Sequence, residues 1–160
     1  MELSKQQYFH SVIEQFEGAI HRLVMTYEHN TSLQDELKQD ILLAIWSSLD
    51  DFQKKSNIKT YMYRVMLNTC FSYIAKQQKH SHREELKDES CNQASPEKQF
   101  THQQNIKQLM IKLKLLPASQ QQVALLTLEG MNYSEISEIT GLSKSNVGVL
   151  LNRAKQKLAQ

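Results

Sequence analysis

A chain of 160 residues can build one medium domain or two small ones, and 40% hydrophobic with 22% charged residues is an ordinary balance with enough apolar content for a core. Four Gly and two Pro argue against a turn-rich all-β fold, and the longest apolar run, Ile41 to Trp46, is far too short to span a bilayer, so no membrane insertion is expected. The net charge of +2 is uneven: residues 1–79 sum to 0, residues 80–104 to −2 and residues 105–160 to +4, so the excess that would suit a polyanion lies wholly in the C-terminal third.

The opening MELSKQQYFHSVIEQ lacks the basic start and apolar stretch of a signal peptide, which predicts a cytoplasmic protein. Tyr8, Val12, Ile13, Phe16, Ile20, Leu23, Val24 and Tyr27 recur at spacings of three and four and predict a first amphipathic helix, broken at Glu28–Ser32. Thr31 with Gln34, or Ser32 with Asp35, is placed to cap the second helix, which carries Leu37, Ile41, Ala44, Ile45 and Leu49 on one face. After the polar loop DDFQKKSN (50–57), a third helix runs from about Ile58 to Gln78, with Tyr61, Val65, Cys70 or Phe71, and Ile74 inward. The two cysteines, Cys70 and Cys91, form no CxxC and predict reduced thiols rather than a disulfide framework.

HSHREELKDESCNQASPEKQ (80–99) is polar, acidic and without apolar periodicity past Leu86, and reads as a linker. Beyond it, Ile106, Leu109, Met110, Leu113 and Leu116 predict a helix stopped before Pro117. Pro117 opens the next helix, with Val123, Leu126 and Leu128 inward, and Gly130 ends it. Asn132 is placed to cap a third helix with Glu135 reaching back, and Gly141 closes that helix in a left-handed conformation. Ser143 caps a fourth, whose inner face is Val147, Leu150, Leu151, Ala154 and Leu158. The fold class is therefore all-α: two small helical domains, 1–79 and 105–160, joined by a polar linker over 80–104.

Two short capped helices separated by a glycine turn make a helix-turn-helix. The turn is too short for an antiparallel pair, so the helices cross steeply and the second projects one face outward. In such motifs the N-terminal residues of the projecting helix come nearest the base edges in the major groove. Here these are Lys144, Ser145 and Asn146, all able to hydrogen-bond, while Arg153, Lys155 and Lys157 further along suit backbone phosphates.

At this point the chain resembles the sigma-70 family of bacterial RNA polymerase initiation factors, in its short extracytoplasmic-function (ECF) group. The resemblance rests on DELKQDILLAIWSSLDDF (35–52), KTYMYRVMLN (59–68) and LPASQQQVALLTLEGMNYSEISEITGLSKSNVGVLLNRAKQKL (116–158), in that order. It implies a first domain that docks on core RNA polymerase through Asp35, Glu36, Gln39, Asp40 and Leu42, with Leu42 as an apolar anchor off the core face. It implies that the same domain melts promoter DNA at the −10 element and captures an extruded base, with contacts at Phe52, Lys54, Lys55, Ser56, Asn57, Lys59, Arg64, Asn68, Lys76 and Lys79. Tyr61, Tyr63 and Phe71 are expected in the core. In the second domain it implies −35 contacts at Asn132, Ser143, Lys144, Ser145, Asn146, Arg153 and Lys155. An inhibitory anti-sigma partner, common in the family, would mask these surfaces. Gly148 and Leu150 stand where the family often has basic residues; Gly148 either lets the helix approach DNA closely or weakens the binding.

His80, His82, Cys91 and His102 match no common zinc spacing, and no nucleophile-base pair or phosphate-binding glycine loop is present, so neither metal, cofactor nor enzymatic activity is expected. Two other readings stay open on the residues alone. One is a stand-alone helix-turn-helix regulator that does not depend on polymerase binding. The other is a polymerase-binding protein without DNA readout.

Overall fold

The structure, a computed structural model, describes residues 3–52, 54, 57–81 and 102–160. Among them the regular elements are seven helices: α1 (Lys5–Tyr27), α2 (Thr31–Ser48), α3 (Ile58–Ser81), α4 (His102–Lys114), α5 (Ala118–Leu128), α6 (Tyr133–Thr140) and α7 (Lys144–Leu158). Cys91 and the polar stretch 82–101 lie outside the described residues, as do Lys55 and Ser56.

α1 begins in a complete capping box: the Gln7 amide donates to Ser4 Oγ at 3.3 Å and the Ser4 amide to Gln7 Oε1 at 3.1 Å. It ends at Glu28, whose backbone is extended. The cap of α2 falls one or two residues earlier than the sequence predicts. Asn30 takes the position, its Oδ1 accepting from the Ser32 amide at 3.1 Å, because an Asn side chain reaches the free amides of the first turn well. Gln34 is drawn instead to the Glu28 carbonyl, at 2.8 Å.

α1 to α3 form one bundle. Phe16, Ile20 and Leu23 of α1 and Leu37, Ile41 and Ile45 of α2 meet in its core, as their spacing requires. The buried face of α3 is turned in part from the predicted one. Tyr63 and Cys70 are buried as expected, and Met62, Met66, Leu67 and Tyr73 are buried with them, while Tyr61, Val65, Phe71 and Ile74 lie only partly buried at its edge. The reason is that α3 packs against α1 and α2 on one side and α6 on another, so its covered arc is wider than one amphipathic stripe.

The C-terminal unit packs α5 against α7 and α6 against α7. Val123, Leu126, Ile136, Ile139, Val147 and Leu151 fill its interior. Leu128, expected inward, is 54% exposed, since α5 ends there and Gly130 turns the chain away at φ +84°. Gly141 adopts φ +78°, the left-handed conformation that ends α6 at little cost only for a residue without Cβ.

The two units also touch. α4 lies on α1, where buried Thr26 approaches Met110 Sδ at 3.0 Å, and α6 lies on α3.

Candidate nucleic-acid interface

The exposed end of the C-terminal unit is built by two caps. Asn132 Oδ1 accepts from the Glu135 amide at 2.9 Å and starts α6. Glu135 answers through its carboxylate, which accepts from the Asn132 side-chain amide at 3.3 Å rather than from the cap's backbone. Ser143 Oγ accepts from the Asn146 amide at 3.2 Å and starts α7. Thr140, Ser137 and Leu142 knit the turn: Ser137 Oγ donates to the Leu142 carbonyl at 2.5 Å and the Leu142 amide to Thr140 Oγ1 at 3.2 Å. Two of the predicted contact residues, Asn132 and Ser143, therefore spend their side chains on the caps, while Lys144, Ser145 and Asn146 stand exposed at the start of α7. Arg153, Lys155 and Lys157 are exposed along the same helix. Free amides and a positive helix terminus favour an anion there, and the basic residues extend the same field.

Gly148 is half-buried, and a Cβ built on it would meet Tyr133 Cε2 at 3.5 Å. Its open side thus faces the neighbouring helix α6. Leu150 is buried, which leaves that position to the core.

In the N-terminal unit, Asp35, Glu36 and Gln39 are exposed on α2 and Asp40 is half-buried. Leu42, expected clear of the core, packs partly buried against it. Its neighbour Leu43 is 65% exposed and lies one and two turns along from Gln39 and Glu36. Leu43 was legible only by assigning the face one residue over. Trp46 continues the face, capped by Lys5 Nζ at 4.2 Å from its ring and touching Phe9 edge-on at 5.2 Å.

On α3, Arg64, Asn68, Lys76 and Lys79 follow one another at helical spacing and are exposed. Asn68 and Lys76 share a cleft of about 320 Å³ with Asp40, Leu43, Thr69, Ser72 and Tyr73. The α2–α3 loop packs Phe52 on the Tyr61 ring, centroids 4.9 Å apart, and Tyr61 Oη donates to the Ser48 carbonyl at 3.0 Å. Lys54 is exposed at φ +57°, a conformation that strains a residue with a Cβ. Asn57 is exposed but caps α3, its Oδ1 accepting from the Lys59 amide at 3.1 Å, and Lys59 is half-buried. The guanidinium of Arg64 donates to the Glu138 carbonyl of α6. Among the described residues no cluster of His, Cys, Asp and Glu could hold a metal ion, and no helix is long and apolar enough to cross a membrane.

Comparison with known proteins gives a consistent result. The profile of sigma-70 region 2 matches residues 12–80, and that of sigma-70 region 4 matches residues 107–158. The chain is 27% identical over 136 residues to the RNA polymerase sigma factor YlaC of Bacillus subtilis (strain 168), covering 81% of this chain and 78% of that one. It is 26% identical over 135 residues to the ECF RNA polymerase sigma factor EcfG of Rhodopseudomonas palustris (strain TIE-1), covering 81% and 71%. Its fold is similar to that of RpoE in complex with the anti-sigma factor NepR from Bartonella quintana, at TM-score 0.75 and 18% identity over 94% of this chain and 93% of that one. It is also similar to CnrH in complex with the cytosolic domain of CnrY, at TM-score 0.68 and 20% identity over 96% and 86%.

Proposed function

The chain belongs to the sigma-70 family of RNA polymerase sigma factors, in its ECF group, and from that premise we propose how its surfaces divide the work of binding core RNA polymerase and directing promoter-specific initiation. Residues 1–79 grip the polymerase and open the −10 element, residues 105–160 read the −35 element, and residues 80–104 tether the two. The protein acts in the cytoplasm as a binding factor and catalyses no reaction itself.

The acidic face of α2, with Asp35, Glu36, Gln39 and Asp40, fits a basic docking surface. Leu43 beside them supplies an apolar anchor that a partner would desolvate. Leu42, from its half-buried position, supports that face from beneath. Along α3, Arg64, Asn68, Lys76 and Lys79 track one strand: the cations meet phosphates and the Asn68 amide, with both donor and acceptor, meets a base edge. The loop from Phe52 to Lys59 receives the extruded base. Unstacking costs a few kcal/mol, which stacking and hydrogen bonds to the freed base offset.

Lys144, Ser145 and Asn146 enter the major groove, with Arg153 and Lys155 on the backbone. Asn132 and Ser143 act through the two caps, fixing the angle at which α7 is presented. An anti-sigma partner completes the scheme. RpoE is bound to the anti-sigma factor NepR in its complex, and a regulator of that kind would cover this chain's docking and DNA faces.

The observation that carries this reading is the exposure of Lys144–Asn146 on a capped helix, in a chain whose other unit presents an acidic helix with a bare leucine. Gel filtration of the full chain with purified core polymerase tests the first half. Co-elution that is lost in the double variant Gln39→Ala, Asp40→Lys supports the reading, and a wild-type chain that elutes alone refutes it.

A further inference from the structure

The outward face of α7 is polar except at one place. Ser145, Asn146, Asn152 and Arg153 stand exposed on it and can all hydrogen-bond. Among the described residues of α7, Val149 is the only apolar side chain that is exposed, at 46%. It lies one turn beyond Ser145 and Asn146 and one turn before Asn152 and Arg153, so it occupies the middle of that face. Nothing in the helix itself favours valine there. A β-branched side chain loses rotamer freedom in a helix, and methyl groups left in water gain no burial.

A second apolar group adjoins it. Tyr133, the first residue of α6, is 45% exposed. Its ring edge reaches α7, with Cε2 at 3.5 Å from the place a Cβ would take on Gly148, the residue before Val149. Gly148 adds no side chain and Leu150 is buried, so the tyrosine ring and the valine methyls flank a bare stretch of backbone. From Ser145 to Asn152 the helix carries no charge. Such a surface offers nothing to a phosphate. It fits the major groove only where the groove is itself apolar, and the apolar group among the base edges there is the C5-methyl of thymine.

We propose that Val149, flanked by Tyr133, reads a thymine methyl group in the −35 element, so that this chain selects an A·T pair there by apolar contact rather than by a hydrogen bond. The inference rests on the reading of α7 as the −35 helix and names what the middle of that helix recognises. Ser145 and Asn146, one turn back, set the register by hydrogen bonds, and Val149 adds the discrimination. Burying one methyl group corresponds to about fourfold in affinity. Cytosine in the same place lacks the methyl and turns its N4 donor towards a side chain with no acceptor, which widens the preference further.

The test uses the full chain assembled with core polymerase. Selection from random duplexes gives its preferred −35 sequence. Each thymine of that sequence is then replaced singly by deoxyuridine, which keeps every base pair and every donor and acceptor in the groove and removes only the methyl. The wild type is expected to lose about fourfold in affinity at one thymine. Val149→Ser is expected to bind the thymine duplex several-fold more weakly and to bind the thymine and deoxyuridine duplexes equally. If Val149→Ser loses helical circular dichroism, Val149→Ala is read in its place, with the same direction and a smaller change. A preferred sequence with no deoxyuridine-sensitive position, or a sensitivity that persists undiminished in the variant, overturns the methyl contact and leaves α7 as the −35 reader. Absence of any preferred sequence overturns the −35 reading itself, and the methyl contact with it.

Discussion

Replacing Gly148 by Ala tests how the recognition helix is seated. In a helix interior Gly is about 0.8–1 kcal/mol less favourable than Ala. The added Cβ would sit 3.5 Å from Tyr133 Cε2, an ordinary van der Waals distance, so no repulsion offsets the gain. The variant is therefore expected to be more stable by up to about 1 kcal/mol, which for a chain of this size raises Tm by roughly 2–4 °C. Thermal unfolding followed by far-ultraviolet circular dichroism measures it. Because the new methyl group lies against α6, binding of a −35 duplex by the full chain with core polymerase should stay within about twofold. A fall in Tm would show that α6 and α7 are closer than the contact implies. A stable variant that loses the −35 duplex would show that the glycine backbone itself touches DNA.

Leu43→Ala removes a 65% exposed side chain and should leave stability within about 0.5 kcal/mol while weakening polymerase binding several-fold, read by fluorescence anisotropy; unchanged affinity would move the anchor elsewhere. Lys144→Ala with Asn146→Ala should change the preferred −35 sequence in a selection from random duplexes, at wild-type Tm, and an unaltered preference would remove α7 from readout. Lys114 is held at about 8, below its ordinary 10.5, by burial, which Glu28 only partly counters. Since the unfolded chain then binds more protons than the folded one between those values, this group makes stability rise from pH 8 to 10.5. Urea titrations of wild type and Lys114→Met should show a steeper rise in the wild type over that window, and equal slopes would contradict it.

The helices were legible because their apolar spacings and caps are local. Gly141 needs its left-handed turn, Ser143 needs its cap, and Val147, Leu150 and Leu151 share one face wherever the unit is placed. The inward face of α3 was legible only in part. Tyr63 and Cys70 are buried as expected, but Met62, Met66, Leu67 and Tyr73 are buried as well, because α6 packs on α3 and no periodicity within α3 announces that second neighbour. Leu42 and Leu43 show the same limit at single-residue scale: an adjacent pair at a helix boundary face differs by 100° of rotation, and packing rather than composition decides which one is bare. The ion pair of Arg22 with Glu129, between the two units, lies furthest from the sequence. Arg22 and Glu129 are 107 positions apart, and nothing near either marks the other as its partner.

Run-off transcription with purified core polymerase and a fragmented genome tests the central claim most directly. The account predicts discrete starts that appear only when the protein is added and vanish when Gln39 and Asp40 are replaced. Initiation that is the same with and without the protein would contradict it, whatever the isolated chain binds.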